Sequence, residues 1–280
     1  MTGKLSHIPE PQARDRNGED PRPPRHLLLA SQRNCPQVTC HYRLFVAADY
    51  IKKCSIKDPN FDACALKNAK ESLPNLITGD TEHKIPVLDP LFVEELRVDA
   101  KTINSSLRRA TVTGLKIVSL KSVRFDFDKK SIAVEAVLPV LNFTGDYEVK
   151  GKLIGIPIYG NGPMNASLCT YSLHKPENNT KGNYRTTYDL AKLDDGEVYL
   201  VLQDHRLTVD PAHATVELGN LFGGNEVLGY YVNKLINANW RAVLKQLGES
   251  INEAFGLTIH RIFSEAAKTV PYKDFFDDIE

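Results

Sequence analysis

No run of about 18 apolar residues occurs in the 280-residue chain, so no segment has the length of a membrane-spanning helix. Neither sign of charge dominates, because 35 Lys and Arg balance 35 Asp and Glu. That balance removes the electrostatic case for nucleic acid or an anionic membrane as the partner. Cysteine is scarce at five, too few for a disulfide scaffold and without zinc-site spacing, so no metal is expected. Catalytic signatures are missing as well. There is no H-E-x-x-H, and Gly248-Glu249-Ser250 runs on into Ile251-Asn252 instead of completing a nucleophile elbow. Gly160-x-Gly162 lacks the third glycine of a dinucleotide loop and reads as part of a Gly160–Pro163 turn; Gly219 to Gly224 lacks the P-loop lysine. His205 and His213 have no third ligand nearby and read as solvated or satisfied. The chain is expected to be no enzyme and to use no cofactor. What is present, 42% apolar and 25% charged residues, is ordinary for a globular protein with a sizeable core.

Residues 1–48 differ from the rest. Pro21-Arg22-Pro23-Pro24-Arg25 has the composition of an extended or disordered segment. Leu27-Leu28-Leu29-Ala30 is too short for the apolar core of a secretion signal. Leu44-Phe45-Val46-Ala47-Ala48 has two readings. It is the tail of a signal with Asp49 as the first mature residue, its apolar core displaced by an alternative leading exon, or it is the start of a structural element. Cys35 and Cys40 have no histidine pair at finger spacing and read as incidental.

Beyond this point the chain alternates and then turns helical. Asn60 to Leu73 reads as a short helix capped by Asn60 and stopped by Pro74. Cys54 and Cys64 flank the turn signal Asp58-Pro59-Asn60. A bridge between them would close a short loop and stabilise the fold by roughly 2.5–3 kcal/mol; a metal-binding pair would need histidines nearby. From Phe92 to Leu221 the apolar period is two, with a hairpin at Asp128–Ser131 between Val123/Phe125/Phe127 and Ile132/Val134/Ala136/Leu138. Eight to ten strands and no long helix among them argue for antiparallel pairing. From Asn225 the period becomes helical. One helix is expected over 225–255, bent or ended at Gly248 or Gly256, then a second over Leu257–Lys268. The expected class is therefore α+β, with a curved antiparallel sheet around a long C-terminal helix.

Several motifs strengthen this reading. Asp49-Tyr50-Ile51-Lys52-Lys53-Cys54, Asp58-Pro59-Asn60 through Cys64, Leu73-Pro74-Asn75-Leu76 with Gly79, Ile85-Pro86 followed by Leu88-Asp89-Pro90-Leu91, and Gly219-Asn220-Leu221-Phe222 with Asn237 and Trp240 are all present. Together they resemble the insect takeout/juvenile-hormone-binding protein family over about residues 49–276, with 277–280 left as a frayed acidic tail. The resemblance implies a TULIP-like super-roll: a long, strongly curved antiparallel sheet wrapped around the C-terminal helix, enclosing an apolar tunnel. It implies a secreted, monomeric carrier of a small hydrophobic ligand such as a terpenoid hormone or fatty acid. Hormone transport, chemosensation, feeding and circadian output are the family's settings. Cys169 has no evident partner; the missing second bridge favours the takeout-like branch, and the thiol reads as buried and inert.

For such a tunnel the expected lining is Phe125, Phe127, Val134 and Leu138 from the sheet and Leu228, Leu235 and Trp240 from the helix, with Tyr147 or Tyr231 offering a hydroxyl. The plainer reading of each apolar position is core packing, because a sheet-wrapped helix needs a core in any case. The other reading of the whole is an interaction protein with a filled core. Four sequons begin at Asn104, Asn142, Asn165 and Asn178, of which Asn178 lies in the clearest loop.

Overall fold

The structure, a computed structural model, describes residues 50–169 and 180–279. The leading segment with Cys35, Cys40 and the Leu44–Ala48 run, and the Asn178 sequon, lie outside the described residues.

Helix α1 spans Phe61–Thr78. Its start is fixed by Asp58, whose Oδ1 accepts from the Asn60 N–H at 2.8 Å; the Asn60 side chain makes no capping bond. Pro74 does not stop the helix, which continues through it to Gly79. Proline already holds a helical φ and forfeits only the bond to the carbonyl four residues back, here that of the exposed Lys70. Gly79, at φ 86°, ends the helix with its N–H on the Leu76 carbonyl.

Nine antiparallel strands follow among the described residues: β1 Leu91–Ala100, β2 Ile103–Thr113, β3 Ser119–Asp126, β4 Ser131–Val137, β5 Val140–Leu153, β6 Ile156–Cys169, β7 Lys181–Lys192, β8 Val198–Asp210 and β9 His213–Leu218. The single sheet expected from the alternation is hydrogen-bonded as two, ordered β1-β2-β5-β6-β9 and β3-β4-β7-β8. The chain changes sheet four times, between β2 and β3, β4 and β5, β6 and β7, and β8 and β9. Gly114 at φ 104° makes the first crossing, and Pro139 and Pro211, which have no N–H for a ladder, sit in the second and the last. The expected β3–β4 hairpin is formed, with Asp126 opposite Ser131 and the turn one residue earlier than the sequence suggests, over 127–130.

The expected turn at Gly160–Pro163 is instead the middle of β6, paired with Asp146–Val149 of β5. Its glycines serve close approach. The segment Gly219–Leu221 crosses over them, so a Cβ on Gly160 would come 3.0 Å from Leu221 Cα, and one on Gly162 2.9 Å from the Gly219 oxygen. The actual reversal is Ile154-Gly155, both at positive φ (44° and 83°), the backbone of a two-residue hairpin turn.

The helical region breaks at a different residue from the one its glycines suggest. α2 spans Glu226–Ala238 and α3 spans Trp240–Ala267, uninterrupted by Gly248 and Gly256. Asn239 ends α2: its N–H reaches the Leu235 and Ile236 carbonyls, and its Nδ2 donates to the Leu235 carbonyl at 2.8 Å. Asn225 caps α2 by accepting from the Leu228 N–H at 3.0 Å. Gly256 lets α3 press onto β8, because a Cβ there would lie 2.9 Å from Leu207 Cβ.

One end of the molecule is an aromatic core. Phe61 of α1 meets Phe125 and Phe127 at ring distances of 5.6 and 5.2 Å, and Phe276 joins all three. The Cys54–Cys64 disulfide is formed beside them. The acidic end is fastened there too. Asp277 donates its N–H to the Cys54 carbonyl, and the Asp278 carboxylate accepts from the Ser55 hydroxyl and the Lys57 N–H.

Candidate ligand-binding cavity

The other end is hollow. A cavity of about 1060 Å³ lies between the five-stranded sheet, β8 and the two long helices. Alternation on β2, β5 and β6 points Ile103, Leu107, Val149 and Ile158 to one face, and these are buried. The α3 stripe Val243, Leu247, Ile251 and Phe255 faces them across the space. The lining is chiefly aliphatic, with Phe143 and Phe255 packed edge to face at 5.7 Å.

Polar side chains hold the walls in place. β9 ends the five-stranded sheet, and its open edge is met by asparagines one helical turn apart on α2. Asn237 accepts from the Val216 N–H and donates to the Val216 carbonyl, both at 2.8 Å. Asn233 does the same with Leu218, both at 2.9 Å. Each carboxamide thus stands in for a neighbouring strand and satisfies groups that an uncovered edge would leave exposed. On α3, Gln246 accepts from the Ile154 N–H (2.7 Å) and donates to Thr102 Oγ1 (2.7 Å) and the Lys152 carbonyl (2.8 Å), joining two hairpin tips to the helix. Asn252 accepts from the Val209 N–H on β8 at 3.2 Å.

Two histidines meet where α3 crosses β8. The rings of His205 and His260 stack at 4.8 Å. His260 has partners at both nitrogens: the Tyr184 hydroxyl lies 2.9 Å from Nδ1 and the Ser264 hydroxyl 3.3 Å from Nε2. Burial first, and then the charge of His205, hold His260 below the ordinary histidine value of 6.5. His205 lines the cavity, and its Nε2 is buried with no hydrogen-bond partner.

Of the side chains expected at a tunnel, Tyr147 and Trp240 line the cavity. The Tyr147 hydroxyl is already engaged, donating to the Gly219 carbonyl at 2.7 Å; burial pushes its pKa up to about 12. Phe125 and Phe127 fill the aromatic core at the opposite end. Val134 pairs with Val123 and Tyr184 within the four-stranded sheet. Leu138 is buried with Leu91, Val112 and Leu141. Leu228, Tyr231 and Leu235 face outward, with Tyr231 63% exposed. Because Asn233 and Asn237 bind β9, α2 turns Gly229, Val232 and Ile236 inward and the residues one position earlier away from the sheet. Pattern reading missed the rest of the wall, including Ile103, Leu107, Val149 and Ile158 of the sheet, the α3 stripe, and His205, which was read as solvated or satisfied. Its place in the inward set His205, Leu207, Val209 of β8 was the available signal.

Cys169 is a free, half-buried thiol 3.3 Å from the Ser167 hydroxyl. Asn104 and Asn165 are exposed on strands, and Asn142 is half-buried. No helix among the described residues is long and apolar enough to cross a membrane.

Residues 35–277 match the family model for haemolymph juvenile hormone binding protein (JHBP). The chain belongs to the JHBP family. Its fold is similar to the crystal structure of Takeout 1 from Epiphyas postvittana, with a TM-score of 0.69 and 25% sequence identity, covering 81% of this chain and all of that one. The chain is also 23% identical over 237 residues to the circadian clock-controlled protein daywake of Drosophila yakuba, covering 81% of this chain and 86% of that protein. A putative beta-carotene-binding protein of Schistocerca gregaria is 21% identical over 179 residues, covering 61% and 66%. The takeout-like resemblance is thus established, and with it a family of hydrophobic-ligand binders.

Proposed function

We propose that this JHBP-family protein is a secreted, monomeric carrier that holds one small hydrophobic ligand, of terpenoid, fatty-acyl or similar lipid character, in the cavity between the five-stranded sheet and α3. The observation that carries this reading is the aliphatic-lined space of about 1060 Å³, at the upper end of small-molecule sites, which run from about 300 to 1,000 Å³. At about 30 Å³ per non-hydrogen atom, the share a water has in the liquid, it holds on the order of 30 such atoms. Removing a ligand of that size from water, at roughly 25 cal/mol per Å² of apolar surface, gains on the order of 10 kcal/mol before the cost of association. The same volume weighs against the filled-core interaction protein. The relative named for beta-carotene binding supports an apolar cargo, and the daywake relatives support a role in circadian output.

Native mass spectrometry of the full chain, purified from the medium of secreting insect cells, is expected to show an added mass that organic extraction removes. The emptied protein is then expected to take up a fluorescent fatty-acid probe. A protein that is empty as purified and also rejects the probe contradicts the reading.

A further inference from the structure

We infer that the ring pair Phe143–Phe255 is the blind end of the cavity and sets how long a ligand chain it accepts. This rests on the carrier reading above and adds the dimension by which cargo is sorted.

The cavity ends at one level on the elements that enclose it. α3 lines it from Trp240 to Phe255 and contributes no later residue. Past Phe255, Ile259 and Ile262 pack in a filled core with Ile85, Leu88, Leu91 and Val112, none of which reaches the cavity. Phe143 packs against this core and against the aliphatic walls alike. Its ring meets that of Phe255 edge to face at 5.7 Å, and Phe255 is buried. A chain passing down the cavity meets these rings, and behind them are only packed side chains.

The flank is shut at the same level, because α3 is seated on β8 there. Asn252 accepts from the Val209 N–H at 3.2 Å, Gly256 lies against Leu207, and the rings of His205 and His260 stack at 4.8 Å. The charged side chains of the lining, Arg206, Asp210, Arg241, Lys245, Glu249 and Glu253, stand on α3 and β8, are exposed, and divide equally between the two signs. They favour no one charge on a head group, so the inference concerns the tail alone. The end wall that meets the tail, Leu141, Phe143, Leu168, Leu207 and Phe255, is wholly apolar.

The helix gives the length. From Trp240 to Phe255, α3 rises about 22 Å at 1.5 Å per residue. An extended chain advances ~1.3 Å per carbon, for a C–C bond of about 1.5 Å at a tetrahedral angle. The lined stretch alongside α3 therefore takes about 16 to 18 carbons.

The test displaces a bound fluorescent probe, N-phenyl-1-naphthylamine, from the full chain with straight-chain fatty acids from decanoate to docosanoate, which share one head group. For the wild type, affinity is expected to rise about 3- to 4-fold per carbon and to level off near octadecanoate. Phe143→Ala vacates the space of one ring beside walls that relax only partly, and is expected to move the levelling point out by about two to four carbons. Decanoate affinity is expected to stay unchanged. Phe143→Leu is expected to move the levelling point in the same direction by less, and it decides alone if Phe143→Ala does not fold. No levelling in the wild type, a levelling point unmoved by the variants, or an equal change in affinity at every length overturns the inference. Failure of the wild-type chain to bind the probe or any acid is a separate result, and it overturns the carrier reading itself.

Discussion

The two ends of the molecule use apolar residues in opposite ways. At the end formed by α1, β3 and the C-terminus, Phe61, Phe125, Phe127 and Phe276 close on one another at ring distances of 5.2 to 6.0 Å, and a disulfide clamps the neighbouring chain. At the other end, aliphatic side chains from β2, β5, β6 and α3 face one another across open space. Large flat rings fill and lock; smaller branched chains held apart by polar ties leave room. The walls of the hollow end stay apart because Asn233, Asn237, Gln246 and Asn252 fix helices to strands through backbone groups. Apolar contact alone would pull them together.

The contrast can be broken most severely at the filled end. Phe61→Ala is expected to destabilise by about 3–5 kcal/mol, the cost of deleting a buried ring, while probe affinity in the surviving folded fraction stays unchanged. Chemical denaturation with a parallel probe titration checks both halves. Removing the bridge with Cys54→Ala and Cys64→Ala is expected to cost about 2.5–3 kcal/mol for the loop it closes, again without effect on the probe. A shift in probe affinity from either change would mean that the two ends are not independent.

Asn237→Ala sharpens the comparison from the hollow side. It strips the Val216 N–H and carbonyl of their partners, at about 1–3 kcal/mol. Because it also frees the β9 edge, it is expected to loosen the cavity and raise aggregation. Probe affinity and light scattering, measured together, should move in step. The smallest effect is one of pH. His260 is held below 6.5 by burial and by His205, against the opposing pull of the Gln203 backbone and Asp204. The native state therefore resists a proton that the unfolded chain accepts. The stability this confers is present above 6.5 and is lost as pH falls toward the lowered native value. Glu253 and Asp204 face the same pair, so the dependence is modest. Melting temperature followed through mildly acid pH should lose this component in His260→Gln.

Much of the fold was legible because its signals are local. Alternation places the strands, the Asp128–Ser131 turn places the β3–β4 hairpin, and the cysteine pair places the bridge. The site was less legible for a physical reason. Alternation says that Phe125 and Ile103 both point inward, but not into which interior, and here there are two. The break between α2 and α3 was hidden because helix propensity singles out glycine, whereas Gly248 and Gly256 are accommodated and Asn239 ends the turn by bonding its own helix. Asn233 and Asn237, poor helix formers one turn apart on an apolar helix, were the readable clue that this helix meets a strand edge.

The central claim is that the space between the sheet and α3 is a ligand site and not loosely drawn core, and Ala166→Phe tests it most directly. Ala166 lines the cavity from β6, so a ring there occupies ligand space without displacing core. The account predicts that stability changes by less than about 0.5 kcal/mol while uptake of the fluorescent fatty-acid probe is lost. A loss of about 1–3 kcal/mol, as for overpacking a filled core, together with probe uptake equal to the wild type, would contradict it.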